Sequence, residues 1–256
     1  MAKLYDDRFF NWVDQTAIGS AQRMLPLVMR MHTPASVVDV GCGRGTWLAV
    51  WQTLGVDRVK GLDGAYVDRT RLAIATDSFE PADLCAPHTA GERFDIAQSL
   101  EVAEHLPASA GPLLIDRLCS LSDVVLFSAA QPGQGGEGHV NERNPSEWAA
   151  EFGARGYAAF DCLRPLMRHD SAISPWYRYN SMIFANEAGQ KRLSAEAIAG
   201  RVERIENLDT APIGDLAWAL RRAILRPLPV AIVTRLSRVH YTLASMLHRH
   251  TSARPA

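Results

Sequence analysis

Residues 37–46, Val-Val-Asp-Val-Gly-Cys-Gly-Arg-Gly-Thr, decide the fold of this chain. The apolar residues before Gly41 predict a buried strand, and a helical pattern opens at Trp47 after a turn that contains three glycines. Glycine suits such a turn because it adopts positive φ easily and lets a ligand approach the backbone. The first amides of the following helix have no partner inside the helix. The stretch therefore predicts a strand, a turn and a helix that together bind a nucleotide-type ligand.

The spacing of the glycines separates two classes of ligand. A dinucleotide loop follows G-x-G-x-x-G, and counted from Gly41 it requires glycine where this chain has Thr46. Here Asp39 comes first and is followed by Gly41, Gly43 and Gly45. This D-x-G-x-G-x-G pattern resembles motif I of the class I S-adenosylmethionine-dependent methyltransferases. The resemblance implies that these four residues bind S-adenosylmethionine. The ammonium and sulfonium groups of this ligand are positively charged and suit the Asp39 carboxylate, whereas the pyrophosphate of a dinucleotide is negatively charged and does not.

Composition limits the class of protein. The 256 residues are 47% apolar, which is enough for one α/β domain with an appendage or for two small domains. The net charge of −1 argues against a nucleic-acid partner. Four scattered cysteines without a C-x-x-C spacing argue against a zinc knuckle and favour a reducing compartment. Since we find neither a signal-peptide pattern nor an apolar run of membrane-spanning length, we expect a cytoplasmic protein.

Charge is distributed unevenly along the chain. Residues 187–256 contain 11 Lys and Arg against 6 Asp and Glu, whereas the first 186 residues contain 16 against 22. No acidic residue follows Asp215. This shift predicts three parts: a helical segment at 1–34, a cofactor-binding domain at 35–186 and a basic helical extension at 187–256.

Strand and helix patterns alternate between residues 36 and 185. The predicted strands are 36–40, 58–62, 74–79, 94–100, 124–128, 157–163 and 179–185. The predicted helices are 8–31, 47–54, 113–121, 146–155 with Ser146 as its cap, 194–207, 212–225 and 229–249. The alternation predicts a doubly wound parallel sheet, whose ligands bind beyond the carboxyl ends of the strands at the switch point.

Acidic residues follow the second and third predicted strands. Asp63 stands where a carboxylate can accept both ribose hydroxyls of an adenosyl group, although an ordinary turn aspartate before Gly64 is the alternative. Asp83 and Leu84 follow the third strand. The methyltransferase resemblance implies that they contact the amine and the ring face of adenine, and a turn or helix cap is the alternative for Asp83.

Residues 99–107, Ser-Leu-Glu-Val-Ala-Glu-His-Leu-Pro, close the fourth strand and resemble the methyltransferase segment at this place. The resemblance implies that Ser99 and Leu100 lie against the methionine part of the cofactor. One helical turn would bring Glu101 and His105 to the same side, where they would bind substrate or a metal, whereas a turn cap is the alternative for His105. No second His–carboxylate pair is evident, so we expect no metal.

The glycine-rich segment 131–145 follows the fifth strand and should lie over the cofactor, with glycines that allow it to close. It offers His139, Asn141 and Glu142. Methyl transfer to oxygen benefits from a positioned base because the pKa of a hydroxyl is far above 7, and His139 is the best-tuned candidate. Asn141, Glu142 and Glu101 would orient the acceptor. A solvated loop histidine is the alternative.

Segments after the fifth strand narrow the resemblance. They look like a group of small bacterial class I methyltransferases often found among glycan or secondary-metabolite genes, and the resemblance covers about residues 35–186. The matching segments are Phe127-Ser128-Ala129-Ala130, Ser146-Glu147-Trp148, Phe152, Gly156-Tyr157, Asp161, Arg164-Pro165 and Pro175-Trp176-Tyr177 with Asn180. This group usually has Gln before that Asn, where Tyr179 stands here, so the acceptor pocket is expected to differ. Trp176, Tyr177 and Tyr179 would stack on a sugar or aromatic acceptor or pack the last strands.

The resemblance implies a Rossmann-like, seven-stranded S-adenosylmethionine-dependent methyltransferase with a C-terminal helical extension. We expect it to methylate a hydroxyl of a small molecule or sugar precursor, with His139 and Glu101 as catalytic residues and His105 in the acceptor site. An N-methyltransferase, which needs no strong base, stays open as an alternative. A cofactor-binding scaffold that acts through its tail also stays open, whereas Thr46 disfavours a nicotinamide-dependent oxidoreductase.

The basic extension has three interpretations. It would cap the active site, form a homodimer arm, or lie on an anionic membrane surface as a peripheral contact. For any single arginine of this extension, a solvated position on a packed helix is the simplest explanation.

Overall fold

The computed structural model describes residues 7–88, 91–210 and 214–237. Within these ranges seven strands form one sheet in the order β3-β2-β1-β4-β5-β7-β6. The strands are β1 (Ser36–Val40), β2 (Arg58–Asp63), β3 (Phe79–Pro81), β4 (Ile96–Leu100), β5 (Val124–Ser128), β6 (Ala158–Phe160) and β7 (Met182–Ala185). Strand β7 runs antiparallel to both neighbours, and the other pairs are parallel. The predicted Rossmann-like doubly wound fold is confirmed, with β7 as the departure from a parallel sheet.

Helices pack against both faces of the sheet. The helices of the described ranges are α1 (Asp7–Met31), α2 (Thr46–Thr53), α3 (Gly111–Leu121), α4 (Pro145–Gly153), α5 (Arg164–Met167), α6 (Pro175–Asn180), α7 (Glu187–Gln190), α8 (Ala195–Ala199), α9 (Asn207–Thr210), α10 (Leu216–Leu225) and α11, which starts at 230 and is described to 237. Side chains alternate between the two faces of a strand. Val37 of β1 accordingly joins the apolar cluster of α1 and α2, while Val38 and Val40 join the cluster of α3 and α4.

Strand β1 lies between β2 and β4 and is buried over its whole length. Its continuous apolar character follows from that double coverage. The turn after it needs glycine, since the φ angles of Gly41, Gly43 and Gly45 are 87°, 54° and 79°. A Cβ at Gly41 would lie only 2.4 Å from Cγ2 of Val102.

Two boundaries near the cofactor side differ from the predictions. The third strand was predicted over 74–79, but β3 begins only at Phe79. Ile74 packs against Gly45 instead, and residues 76–78 form a 3₁₀ turn. The cap of α4 is Asn144, not Ser146: Pro145 takes the first helical position, and the Glu147 carboxylate accepts the Asn144 amide at 2.8 Å. Proline suits that position because its missing N–H would have no partner there.

The last strand pair is shorter than predicted. Residues 175–180 form helix α6, not the start of a strand over 179–185, because Pro175 presets the first turn of a helix. The predicted strand at 157–163 shrinks to β6. The predicted helix 194–207 stops at α8, where Gly200 approaches the Cys162 backbone so closely that a Cβ would lie 2.9 Å from its nitrogen.

Helix α10 begins at Leu216 rather than at 212, since Asp215 caps it by accepting the Trp218 amide at 2.9 Å. The helix predicted at 229–249 is present from 230, and its part beyond 237 lies outside the described residues. None of the helices in the described ranges combines the length and hydropathy needed to span a bilayer.

Candidate active site

A cleft of about 350 Å³ opens at the carboxyl ends of β1, β2 and β4. Its walls are the glycine turn after β1, the segment after β4, helix α6, the glycine-rich loop and the face of α10. This is the switch point at which ligands bind in doubly wound sheets.

Asp63 ties the end of β2 to the glycine turn. Its carboxylate accepts hydrogen bonds from the Gly43 amide at 2.7 Å, the Gly64 amide at 2.6 Å and the Tyr66 hydroxyl at 2.6 Å. Burial raises the pKa of Asp63, although these three bonds oppose the shift. Tyr66 also lines the cleft, so this carboxylate accepts one hydroxyl donor at the cleft wall.

Asp39 lies near the carboxyl end of β1, is only 3% exposed and lines the same end of the cleft. Burial raises its pKa to about 7; Gln98 opposes the shift by hydrogen bonding, and the nearby Asp63 charge adds to it. Two buried carboxylates beside a glycine turn are costly to ionise without a cationic partner. These two acceptor groups therefore fit the ammonium group and the ribose hydroxyls of S-adenosylmethionine, which are hydrogen-bond donors.

The other residues predicted to bind cofactor divide into two sets. Gly41, Gly43, Leu84 and Leu100 line the cleft. Gly45 lies behind the turn, where a Cβ would meet Ile74 at 2.9 Å, so its role there is to let the turn pack.

Asp83 and Ser99 lie outside the cleft lining. The Asp83 carboxylate accepts the Cys85 amide at 2.9 Å, which is the turn role weighed as the alternative. Ser99 is fully buried, and its hydroxyl donates to the Val40 carbonyl at 2.8 Å, linking β4 to β1. Neither geometry favours the predicted cofactor contact.

Glu101 adopts a left-handed backbone, with φ of 57°. Its amide donates to the Ser128 carbonyl at 3.0 Å, and its carboxylate accepts from Gln134 at 2.7 Å and from Asn180 at 3.0 Å. The Asn180 amide also donates to the Gln134 side-chain oxygen at 2.8 Å. Such strain persists only where surrounding contacts determine it, and it concentrates at functional sites.

His139 lines the cleft and is held from behind by Glu142. The Glu142 carboxylate lies 2.8 Å from Nδ1 of His139 and accepts the Gly133 and Gly135 amides, also at 2.8 Å each. Burial opposes ionisation of Glu142, but the hydrogen bonds from His139 and these amides outweigh it and lower its pKa. Glu142 thus orders the loop and orients the imidazole rather than meeting the acceptor itself.

Asn141, predicted to bind substrate, is buried outside the cleft lining. Its side-chain nitrogen donates to the Ala103 carbonyl at 3.2 Å, and its oxygen accepts from Arg143 at 2.9 Å. Its backbone amide also donates to the Glu104 carbonyl at 3.1 Å. These contacts fasten the glycine-rich loop to the segment after β4, so Asn141 positions the loop.

His105 reaches the cleft, but the local structure differs from the predicted helical turn. Residues 103–105 form a 3₁₀ turn that follows the left-handed Glu101. The rings of His105 and His139 stand 4.9 Å apart at 89°. Burial and the nearby His139 lower the pKa of His105 to about 3, which keeps its imidazole neutral.

Glu104 is the residue that sequence reasoning missed. It is 0% exposed and lines the cleft beside His105. Burial, reinforced by repulsion from Glu101, holds its pKa well above the usual range. With His105 and His139 it places three ligand atoms within 4.8 Å of one another, so a second carboxylate and a second histidine accompany the predicted Glu101 and His105 in the cleft. The spacing of Glu101, Glu104 and His105 was the signal available in the sequence.

Aromatic residues close the other side of the cleft. Trp176 and Tyr177 line it from helix α6, and Tyr177 packs edge-on against Trp47 at 4.8 Å. From α10 come Trp218, which no sequence pattern indicated, and Arg221 of the basic extension. The Arg221 guanidinium donates to the Gln134 carbonyl at 2.9 Å. Of the three interpretations of the basic extension, these contacts support the helical cap.

Tyr179, the departure from the usual glutamine, does not line the cleft. It packs against Trp218 with ring centroids 5.5 Å apart, and its hydroxyl lies 3.3 Å from both the Asp215 carboxylate and the Asp215 amide. Tyr179 therefore anchors α10 over the cleft.

The strand order, the glycine turn and the paired carboxylates define an S-adenosylmethionine-dependent methyltransferase. A family model described as a methyltransferase domain matches residues 16–159, more than half of the chain, and the protein belongs to this family. As a member of this family it is a methyltransferase, and its methyl donor is S-adenosylmethionine.

The chain is similar to several solved structures at low identity. DesVI of Streptomyces venezuelae is 16% identical over 72% of this chain and 98% of its own, with a TM-score of 0.50. An O-methyltransferase family protein from Burkholderia thailandensis is 17% identical over 68% of this chain, with a TM-score of 0.48, and the match covers 56% of its length. CalS10, an amino pentose methyltransferase from Micromonospora echinaspora, is 16% identical over 68% of this chain and 91% of its own, with a TM-score of 0.45. No curated protein sequence matches the chain.

Proposed function

We propose that this methyltransferase acts on a hydroxyl group of a small molecule or sugar precursor. The observation that carries the proposal is the His139–Glu142 pair, which presents an oriented imidazole to the cleft beside Glu101. Transfer to a hydroxyl oxygen needs a group that takes its proton, whereas transfer to a neutral amine does not.

The donor end of the cleft would be formed by residues from three strands. Asp63 accepts the ribose hydroxyls, and Asp39 faces the ammonium group. Leu84 and Leu100 supply apolar walls for adenine and for the methionine chain. S-adenosylmethionine supplies an electrophilic methyl carbon on a sulfonium sulfur.

The acceptor end would hold the hydroxyl in line with that methyl group. Because the Glu142 carboxylate takes Nδ1–H of His139, Nε2 keeps a lone pair that can receive the hydroxyl proton. Trp176 and Tyr177 offer apolar surface for a sugar or aromatic ring. Alignment of acceptor and methyl supplies most of the rate, since the sulfonium is already a good leaving group.

The covering of the cleft supports a small acceptor. Helix α10 lies over the cleft through Trp218 and Arg221. We therefore propose a small acceptor and no nucleic-acid substrate.

The test is an acceptor screen with sugars, phenols and amines, using labelled S-adenosylmethionine. We expect methyl ethers as products, and at least a hundredfold lower kcat for His139→Gln, since general-base catalysis contributes this much. The matched control His169→Gln changes an exposed histidine outside the cleft and should keep full activity.

Two results would contradict the proposal. Methylated amines with His139→Gln fully active would favour the N-methyltransferase. Tight cofactor binding without turnover on any acceptor would favour the scaffold.

A further inference from the structure

Three side chains with metal-binding atoms converge at the acceptor end of the cleft. Glu104 and His105 come from the segment after β4, and His139 comes from the glycine-rich loop. One ligand atom from each lies within 4.8 Å of the other two. Two imidazoles and one carboxylate form a donor set typical of transition metals.

Glu104 points to a ligand in this cluster. It is 0% exposed, and no described residue makes a well-formed hydrogen bond to either of its carboxylate oxygens. The neighbouring Glu101 carboxyl and the Ala130 backbone lie near it without completing such a bond. A buried carboxylate without a partner is costly, and a second carboxylate close by increases that cost. A cation among Glu104, His105 and His139 would remove it.

The two histidines are already oriented from behind. Nδ1 of His139 bonds the Glu142 carboxylate at 2.8 Å, and His105 is hydrogen-bonded to the Gly138 backbone. A carboxylate or carbonyl behind a histidine fixes its tautomer and ring orientation, and metal-binding histidines almost always have one. The absence of a side chain at Gly136 makes room for the His139 ring, because a Cβ there would lie 2.0 Å from Nε2.

We propose that Glu104, His105 and His139 bind one divalent transition-metal ion that holds the acceptor hydroxyl. Metal–ligand bonds of about 2.1 Å require each of the three ligand atoms to move toward the ion by roughly 1 Å. Open coordination positions would face the cleft. The identity of the acceptor in this inference rests on the proposed function, while the binding of the ion does not.

The ion would change how the hydroxyl loses its proton. Coordination of the acceptor oxygen weakens the O–H bond. The proton passes to the Glu101 carboxylate, the oxygen forms a bond to the methyl carbon, and the electron pair of the breaking C–S bond stays on sulfur. The products are the methyl ether, S-adenosylhomocysteine and protonated Glu101. With the ion bound, His139 serves as a ligand and Glu101 takes the proton. Without the ion, His139 takes it, as in the proposed function.

The experiment measures binding of Mn²⁺ and Zn²⁺ to the chelator-treated full chain, by electron paramagnetic resonance and calorimetry. We expect one ion per chain, with at least tenfold weaker binding in Glu104→Gln and His139→Gln. His169→Gln, an exposed histidine outside the cleft, is the matched control and should bind as the unchanged protein does. The inference is overturned if neither ion binds, or if all four proteins bind alike.

Thermal unfolding shows whether the variants are folded. The ion should raise the Tm of the unchanged protein and of His169→Gln, because it binds only the folded state. It should leave the Tm of Glu104→Gln and His139→Gln unchanged. Equal increases in all four proteins would place the ion elsewhere and contradict the site.

The two proposals fail in distinguishable ways. Specific ion binding without any methylated hydroxyl would leave the metal site standing and remove the proposed function. Full hydroxyl methylation in excess chelator, with no ion bound, would leave the proposed function standing and remove the metal site.

Discussion

Asp39 and Asp63 show how single residues prepare the donor end of the cleft. Both are buried, at 3% and 5% exposure, yet only Asp63 has a full set of internal hydrogen-bond donors. Asp39 therefore bears more of the cost of burial, while Asp63 also maintains the shape of the glycine turn. The two carboxylates should respond differently to substitution.

Substitution of Asp63 by alanine should weaken S-adenosylmethionine binding at least tenfold, because hydrogen bonds to a charged group are worth about 1.5–3 kcal/mol each. Calorimetric titration measures the effect. Asp83→Ala is the matched control, since Asp83 lies outside the cleft and should keep its affinity within twofold. Unchanged affinity in Asp63→Ala would show that the ribose assignment is wrong.

Asp39 should make the stability of the free enzyme depend on pH. Its pKa rises from 3.8 to about 7 on folding, so between these values the folded state binds more protons than the unfolded state. Stability therefore falls as pH rises through this window. Each unit of pKa difference corresponds to about 1.4 kcal/mol, so the unfolding free energy should drop by up to about 3 kcal/mol between pH 5 and pH 8.

Urea unfolding of the unchanged protein and of Asp39→Asn at both pH values checks this dependence. The asparagine variant should lose much less stability over the same range. A decline of equal size in both proteins would assign the pH dependence to other groups.

Among the elements, the glycine turn and the loop after β5 are built by different means. The turn after β1 depends on its own backbone, since Gly41, Gly43 and Gly45 all have positive φ. The loop over 131–145 depends on a side chain, because the Glu142 carboxylate accepts hydrogen bonds from two loop amides and also bonds His139. A local sequence pattern can therefore reveal the first, whereas the second depends on a contact that forms only in the folded loop.

Gly41→Ala should destabilise the protein by about 1–3 kcal/mol and abolish measurable cofactor binding. The new Cβ would require a left-handed alanine and would overlap Val102, with 2.4 Å to its Cγ2. Thermal unfolding and cofactor titration measure the two effects. Gly153→Ala is the control, because a Cβ there meets nothing within 4 Å and α4 favours alanine. Cofactor binding by Gly41→Ala at normal affinity would contradict the role of the turn.

For the molecule as a whole, the C-terminal helices have an inner and an outer surface. The inner side chains Trp218 and Arg221 line the cleft. The outer side chains include six of the exposed large apolar residues found in the described ranges, namely Leu216, Leu220, Ile224, Val230, Ile232 and Leu236. Arg226 and Arg235 are also exposed, and no acidic residue follows Asp215. An apolar surface with arginines and no acids complements an anionic membrane.

We expect the protein to sediment with vesicles that contain anionic lipid and not with zwitterionic vesicles. Leu220→Glu should weaken this binding severalfold, since it removes apolar surface and adds a repelling charge. The control Leu166→Glu changes an exposed apolar residue of α5 instead and should bind as the unchanged protein does. Equal sedimentation with both lipids would contradict the membrane contact, and a concentration-dependent dimer in light scattering would favour the homodimer.

The sequence alone determined the features that are local in the chain. The strand, the glycine turn and helix α2 occupy residues 36–53, and their pattern predicted this unit because each residue acts on its close neighbours in the chain. The cofactor followed from the resemblance of this pattern to motif I of the class I methyltransferases. The alternation of strands and helices predicted the doubly wound sheet for the same reason.

Only the tertiary structure decided how distant segments share the cleft. Glu104 and His139 are 35 positions apart, and Arg221 bonds the Gln134 carbonyl across 87 positions. No local periodicity of the sequence predicts such contacts, because they depend on the direction in which each segment leaves the sheet. The same dependence placed Ser99 and Asn141 outside the cleft, where hydrogen bonds to other segments hold them.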